Sequence, residues 1–564
     1  MPTEQKHDAS AMSRRAELLS GARRRRLSIW GFAGLAGLVS TAAIFLYYTG
    51  RELSFYLDEW YFLLYRQANI NGFLDAHGGH IVVIPVAIYQ VLLRTVGMTD
   101  YTPYRAVVIA THLLIGVLVY IFARQRIGPI ASLGPAAIIL FLGRGAEDFL
   151  WAFQIVFLGP ILTGLAALML AERTSLKARL SVCVLLVLSI GFSEIGLSFV
   201  LAVTVLLLTK RTRLKDVWIV IVPSILYGLW YMYYGYGNSS VTLANLIRSP
   251  KFIADEIAGS VQALTGLGPF EGISWLDLNW GRAFAVVLVV FVIRRLVKAK
   301  ENRMLWSLMT AGGVFWALVA FTRAEKGNPV ASRYIYIGSV IVALIILELA
   351  KGIELGNRAI GIFAAISIVI VGANVGYYYH LRNFFENNAS YQRAEIGAID
   401  IAKNNIDPNF VLSDSAHYIP SIQAGSYLSA ISKYGSPAYS VAEIEAQTEP
   451  VRLATDDVFV RAGLLKVEQG NSQLSGGMRC QRVTASGATQ PYVAELPSGS
   501  LVLLARSKQL QVSVRRFAQA STIDLGTLKP DAGMKISTTT DGANLPWRIV
   551  IAGDATFELC SSGS

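Results

Sequence analysis

The feature that most constrains this chain is a succession of long apolar runs, among them residues 27–48, 103–123, 152–171, 304–322 and 359–378. A helix rises about 1.5 Å per residue, so about 20 apolar residues cross a hydrocarbon layer of about 30 Å. The runs far exceed the roughly 9–11 residues of a barrel strand, which excludes an outer-membrane barrel. Of 564 residues, 53% are hydrophobic and 16% charged, against about a quarter charged in a soluble domain. The sequence therefore predicts an integral membrane protein.

The net charge of +12 belongs to the membrane half. Residues 381–564 carry 16 basic and 17 acidic side chains, leaving 34 and 21 for the first 380. That asymmetry fits membrane orientation rather than a nucleic-acid partner, and none is expected. Basic residues fall in alternate connections: Arg124 and Arg126; Arg173, Lys177 and Arg179; Lys210, Arg211, Arg213 and Lys215; Arg294, Arg295, Lys298, Lys300 and Arg303; Lys351 and Arg358. These connections are expected in the cytoplasm. A basic tail, residues 1–26, precedes an apolar run that lacks a small-x-small cleavage pattern, so it is read as a retained first helix with a cytoplasmic N-terminus.

Further runs at 131–143, 178–193, 196–209, 217–235, 282–294 and 334–350 bring the expected number of membrane helices to about eleven. The predicted fold class is an all-α polytopic membrane domain, residues 27–380, followed by an extracytoplasmic, mostly β domain, residues 381–564. In that last third Gly, Ser, Thr and Asn rise, and alternating β-branched stretches begin at Ser500, Gln511, Trp547 and Thr556, separated by turn-forming segments. Residues 390–450 are mixed, with a helical stretch from Ala394 to Asn404. Cys183 lies in an apolar run and reads as a packing residue. Cys480 and Cys560 both fall in the outward domain, as either a disulfide or two free thiols.

Directly after the first helix stands Phe55-Tyr-Leu-Asp58-Glu59-Trp60-Tyr61-Phe62. Carboxylates among aromatic groups at an interface are costly unless paired or used, and such surroundings favour general-base chemistry. The plainer alternative is that Asp58 caps a short helix and Glu59 is solvated. A second pair, Glu147 and Asp148, follows Arg144 in the next outward connection, and His77 and His80 stand in Ala76-His-Gly-Gly-His. Outward cations are few, yet Arg323, Lys326 and Arg333 share one short segment ending at Tyr334. They suit a phosphate at the membrane surface, or else cap helix ends and pair with Glu325. The histidines lack the i, i+4 spacing of a helical zinc site and have no cysteine beside them, so a metal is not favoured. They are expected to bind phosphate or a sugar hydroxyl, or to cap the amphipathic helix from Ile81 to Val96.

Taken together, this placement resembles the GT-C superfamily of polyprenyl-phosphate-sugar-dependent membrane glycosyltransferases. In that superfamily an acidic residue or pair follows helix one, short helices lie along the membrane, further acids occupy the second outward loop, and a later loop supplies Arg or Lys to the donor phosphate. Asp58 and Glu59, the 81–96 segment, Glu147 and Asp148, and Arg333 with Tyr334 match in that order. The resemblance covers about residues 27–380, and the β-rich end looks like the appended carbohydrate-binding modules of some members.

It implies transfer of a sugar from a polyprenyl-phosphate donor to a glycan, lipid or protein acceptor on the outer face of the plasma (inner) membrane. Asp58 is the expected base, with Glu59 or Glu147 as second candidates. Arg333 and Lys326 are expected on the phosphate, assisted by Arg323 or Arg144. No cofactor is expected, although paired acids can hold a divalent ion. Two rivals remain: a transporter or flippase of a lipid-linked glycan, for which Glu194 is the nearest candidate, and a non-enzymatic envelope assembly protein.

Overall fold

The structure, a computed structural model, describes residues 2–209, 215–235, 241–268, 277–298, 302–471, 478–486, 491–496 and 499–561, with side chains from Arg25 onward. Of the basic residues used to orient the chain, Lys210, Arg211, Arg213 and Lys300 lie outside the described residues. The chain forms two compact units, residues 1–51, 66–91 and 102–384, and residues 52–65, 92–101 and 385–564.

The first unit is helical. Among the described residues, six helices are long and apolar enough to cross a membrane: Arg25–Thr49, Thr102–Ile127, Ala152–Leu170, Arg303–Arg323, Ser332–Leu349 and Asn357–Ile401, the last continuing into the second unit from Phe385. Helices also fill the remaining predicted runs, as Leu133–Leu140, Leu176–Phe192, Gly196–Leu208, Trp218–Trp230 and Leu278–Lys298. The protein is thus a multi-pass membrane protein. Only helices or closed barrels satisfy every backbone group in lipid, and apolar runs of this length select the helix.

Ser332–Leu349 is apolar and buried nearly all round, which puts it at the centre of the bundle. It packs on Thr102–Ile127 on one side and on Leu243–Thr265 and Arg303–Arg323 on the other. The ends of two of these helices are joined by a buried ion pair, Arg126 Nε to Glu348 Oε2 at 2.6 Å. Val83–Thr95 forms the amphipathic helix predicted after the two histidines.

The second unit contains a hairpin, β1 (Val411–Asp414) with β2 (Ile419–Gln423), helices Ala424–Tyr434 and Glu449–Arg461, and two antiparallel sheets. The strands are β3 (Leu465–Asn471), β4 (Arg479–Ser486), β5 (Tyr492–Glu495), β6 (Gly499–Ala505), β7 (Leu510–Arg515), β8 (Ile523–Leu528), β9 (Ala532–Thr538), β10 (Arg548–Ala552) and β11 (Asp554–Ser561). Their orders are β3-β9-β6-β11-β4 and β5-β10-β7-β8. The four predicted alternating stretches are β6, β7, β10 and β11. In β7 Leu510, Val512 and Val514 are buried and Gln511 is exposed, the period of two expected for a strand with one covered face.

Two carboxylates of Glu449–Arg461 fasten the loop after β7. Asp456 accepts from the backbone N–H groups of Arg516, Phe517 and Ala518 at 2.8, 2.9 and 3.0 Å. Glu449 accepts from those of Gln519, Ala520 and Ser521 at 2.8, 2.6 and 2.7 Å. Cys480 and Cys560 face each other across β4 and β11 and are joined as a disulfide. Cys183 is free and buried, a packing residue as expected.

Candidate functional site

In the helical unit, Gly143–Gly145 is a short 3-10 turn that leads into Glu147–Leu150. A side chain at Gly143 would collide with the backbone carbonyl of Asn374, and one at Gly145 with Tyr336. Glycine at both positions lets the turn press against two helices, and Arg144 between them is carried inward. Its guanidinium donates to Gln262 Oε1 at 3.1 Å and lies 5.3 Å from the centre of the Tyr377 ring. Its backbone N–H donates to Asn374 Oδ1 at 3.3 Å. Among the described residues no carboxylate pairs with Arg144, and burial holds its pKa below the usual arginine value.

Glu147 and Arg333 form an ion pair at 2.9 Å. Gln154 Nε2 donates to the same carboxylate oxygen at 3.1 Å, and the Glu147 N–H donates to Ser332 Oγ at 3.1 Å, fixing Glu147 from two segments. The Arg333 guanidinium also lies 5.1 Å from the ring of Tyr334, which is buried. Asp148 is fully buried, and neither of its carboxylate oxygens has a hydrogen-bond partner among the described residues. Burial first, then the neighbouring Glu147 charge, pushes its carboxyl well above the usual range, against the pull of Arg333. The adjacent acids are therefore driven to different tasks, one holding a cation and one holding a proton.

His77 and His80 form a two-residue turn closed by reciprocal backbone bonds of 2.9 Å, with Gly78 and Gly79 at φ of 57° and 86°. His80 Nδ1 meets Glu194 Oε1 at 2.5 Å, and the His77 ring packs edge-on against Phe153. The structure thus pairs one predicted histidine with Glu194. Arg323 and Lys326 are exposed, and neither forms an ion pair with Glu325 among the described residues. The segment carrying them is instead tied to helix Leu243–Thr265, through Asn245 Oδ1 to the Glu325 N–H at 2.7 Å and Arg248 to the Glu325 carbonyl at 3.2 Å.

In the second unit, Asp58 and Glu59 open the helix Asp58–Leu64. Glu59 is fully buried rather than solvated: it accepts from the Tyr56 N–H at 2.8 Å and from the Tyr101 hydroxyl at 3.0 Å. It is a structural anchor of the turn. Leu57, directly before Asp58, has φ of 44°, a left-handed conformation costly for a branched side chain and held here by the anchored turn. Asp58 is half-buried at the first position of the helix, and Leu57 rather than Asp58 occupies the N-cap.

Two features of the helical unit escaped sequence reasoning. His112, inside an apolar run, bonds Tyr336 Oη at 2.8 Å through Nδ1 and the Leu140 carbonyl at 3.1 Å through Nε2. A carbonyl only accepts, so Nε2 carries the proton and Nδ1 accepts from the tyrosine. The signal was present, since an ionisable residue in a membrane run invites attention. Glu256, in the amphipathic helix Leu243–Thr265, is buried with both oxygens unpartnered among the described residues, and burial pushes its pKa up to about 9.

The fold and these charged clusters define a polytopic helical membrane protein with a β-rich end. No family matches the chain, and no curated protein matches it. Among solved structures it is similar to ArnT from Cupriavidus metallidurans bound to undecaprenyl phosphate, at 12% identity and a TM-score of 0.47, over 78% of this chain and 93% of that one. It is also similar to the arabinosyltransferase EmbB from Mycobacterium smegmatis, at 12% identity and a TM-score of 0.33, over 94% of this chain. The chain spans 64% of the length of that arabinosyltransferase. Similarity at this level assigns no activity to this chain.

Proposed function

We propose that the protein is a GT-C-type glycosyltransferase that moves a sugar from a polyprenyl-phosphate donor to an envelope glycan, lipid or protein on the extracytoplasmic face. The observation that carries this reading is the charged group around the 143–148 turn. There, among the described residues, a guanidinium lacks a carboxylate, a buried carboxyl lacks a hydrogen-bond partner, and Glu147 holds Arg333 in place beside Tyr334. A bundle serving only as an anchor has no use for such incompletely compensated groups, which cost several kcal/mol when buried.

In the proposed reaction the acceptor hydroxyl attacks the anomeric carbon, the bond from that carbon to the donor phosphate oxygen breaks, and polyprenyl phosphate leaves. Asp58 takes the hydroxyl proton, and the strained Leu57 with the buried Glu59 holds its turn in position. Arg144 and Arg333 balance the charge that develops on the leaving phosphate, with Lys326 and Arg323 attracting the donor. The proposal includes eleven crossings, a cytoplasmic N-terminus and an external C-terminal unit. Against transport, His112 and Arg126, two buried ionisable groups of helix Thr102–Ile127, are satisfied by neighbouring helices, His112 by Tyr336 and the Leu140 carbonyl and Arg126 by Glu348.

The test is transfer of radiolabelled sugar from polyprenyl-phosphate donors in membranes at matched expression. Asp58→Asn should abolish transfer while donor binding persists, and Arg333→Ala should lower it by about 100-fold or more. Undiminished transfer in Asp58→Asn removes that residue from the chemistry, and no transfer by the wild type from any donor overturns the enzymatic reading.

A further inference from the structure

The second unit contains a compact group of side chains that the transfer chemistry does not use. Glu395, on the last turns of helix Asn357–Ile401, faces the β1–β2 hairpin, whose turn supplies Asp414 and His417. His417 Nδ1 lies 3.0 Å from Glu395 Oε1 and 2.9 Å from Asp414 Oδ2. One donor atom from each of the three residues falls within 4.8 Å of the others.

An ordinary ion pair does not account for this group. A ring nitrogen carries at most one proton, yet two carboxylates converge on the same one. Glu395 is fully buried, and its Oε2 has no hydrogen-bond partner among the described residues. Arg461 stands 3.9 Å from that oxygen but is engaged with Asp457 at 2.7 Å. Glu395 and Asp414 thus bring two carboxyl groups to one imidazole nitrogen, while Arg461 is held mainly by Asp457. One turn before Glu395, Gln392 is also buried; its Nε2 donates to the His417 carbonyl at 3.2 Å, while its Oε1 is a second acceptor without a partner among the described residues.

The donors are also held ready. The imidazole is stacked on Tyr391 with ring centres 3.6 Å apart, and Asp414 Oδ1 is fixed by the Ala416 N–H at 2.8 Å. Tyr418, next to His417, has φ of 56°, a strained backbone at the turn.

We propose that Glu395, Asp414 and His417 bind one divalent transition-metal ion of the zinc class, clamping the β1–β2 hairpin to the end of the long helix. An ion bound at about 2.0–2.2 Å by one imidazole and two carboxylates replaces the protons that the three groups share, with small side-chain adjustment. The imidazole favours zinc over calcium or magnesium, which prefer all-oxygen sites. A water completes the coordination. Asp414 and His417 are about a quarter exposed, which leaves a route of entry.

The test uses the full chain in detergent, stripped with a chelator, dialysed and titrated with zinc chloride, with bound metal measured by elemental mass spectrometry. The wild type should hold about one zinc per chain, unaffected by excess calcium, and Glu395→Gln and His417→Ala should each weaken binding by about 100-fold. Circular dichroism and an intact Cys480–Cys560 bridge report that the variants are folded, and Asp414→Asn at the rim serves if either is not. Zinc held no more tightly than by the buffer, or equally by wild type and variants, overturns the proposal whatever the result for sugar transfer.

Discussion

Asp148 shows how a single carboxyl can work against its own ionisation. Buried without a hydrogen-bond partner among the described residues and beside Glu147, it binds its proton more tightly in the folded chain than in the unfolded one. The stability this supplies is fully present below the ordinary aspartate pKa of about 4 and is lost as pH rises through the raised folded value. Asp148→Asn, which keeps the shape and removes the titration, should therefore lose less stability between pH 5 and 9, because burial raises a carboxyl above its ordinary range. Thermal midpoints of the detergent-solubilised protein over that range test it: parallel curves for wild type and variant would show that Asp148 titrates normally. The acidic pair was legible in the sequence, but the division of labour was not, because it depends on which of two adjacent carboxylates meets Arg333.

At the scale of elements, a carboxylate can do the work of several backbone partners. Asp456 is buried and receives three backbone N–H groups from the loop after β7. Asp456→Ala leaves those donors without an acceptor, at a cost of about 2–4 kcal/mol. The β-sheet signal in circular dichroism should melt earlier in this variant while the helical signal holds; joint melting at the wild-type temperature would show that the loop is fastened by other contacts. The strands themselves were readable from their alternation, as β6, β7, β10 and β11 show. Asp456 was not singled out, because its partners lie about 60 residues further along the chain.

For the whole molecule, the proposed topology makes a chemical prediction through its three cysteines. Cys480 and Cys560 are bonded in the second unit, while Cys183 is buried and free among the helices. A C-terminal unit outside the cytoplasm keeps the bridge oxidised. Alkylation of cell-derived, denatured protein without reductant should label Cys183 alone, and labelling after reduction should reach all three. Labelling of all three without reductant would place the unit in a reducing compartment and reverse the proposed orientation. The orientation argument rests on Arg and Lys in alternate connections, such as Arg124 and Arg126 against the sparse cations of the 323–333 segment.

The sequence alone determined that this chain lives in a membrane as helices, because unbroken apolar runs leave no other way to satisfy the backbone in lipid. It also determined the β-rich end, where a period of two in side-chain character needs no long-range information. The pairing of Glu147 with Arg333, the burial of Glu59 under Tyr56 and Tyr101, and the meeting of Glu395 with Asp414 and His417 were decided only by tertiary structure. Each joins residues from separate elements, or from separate turns of one loop. Local sequence fixes which charges exist, but packing fixes which of them lose water and which partner they then meet.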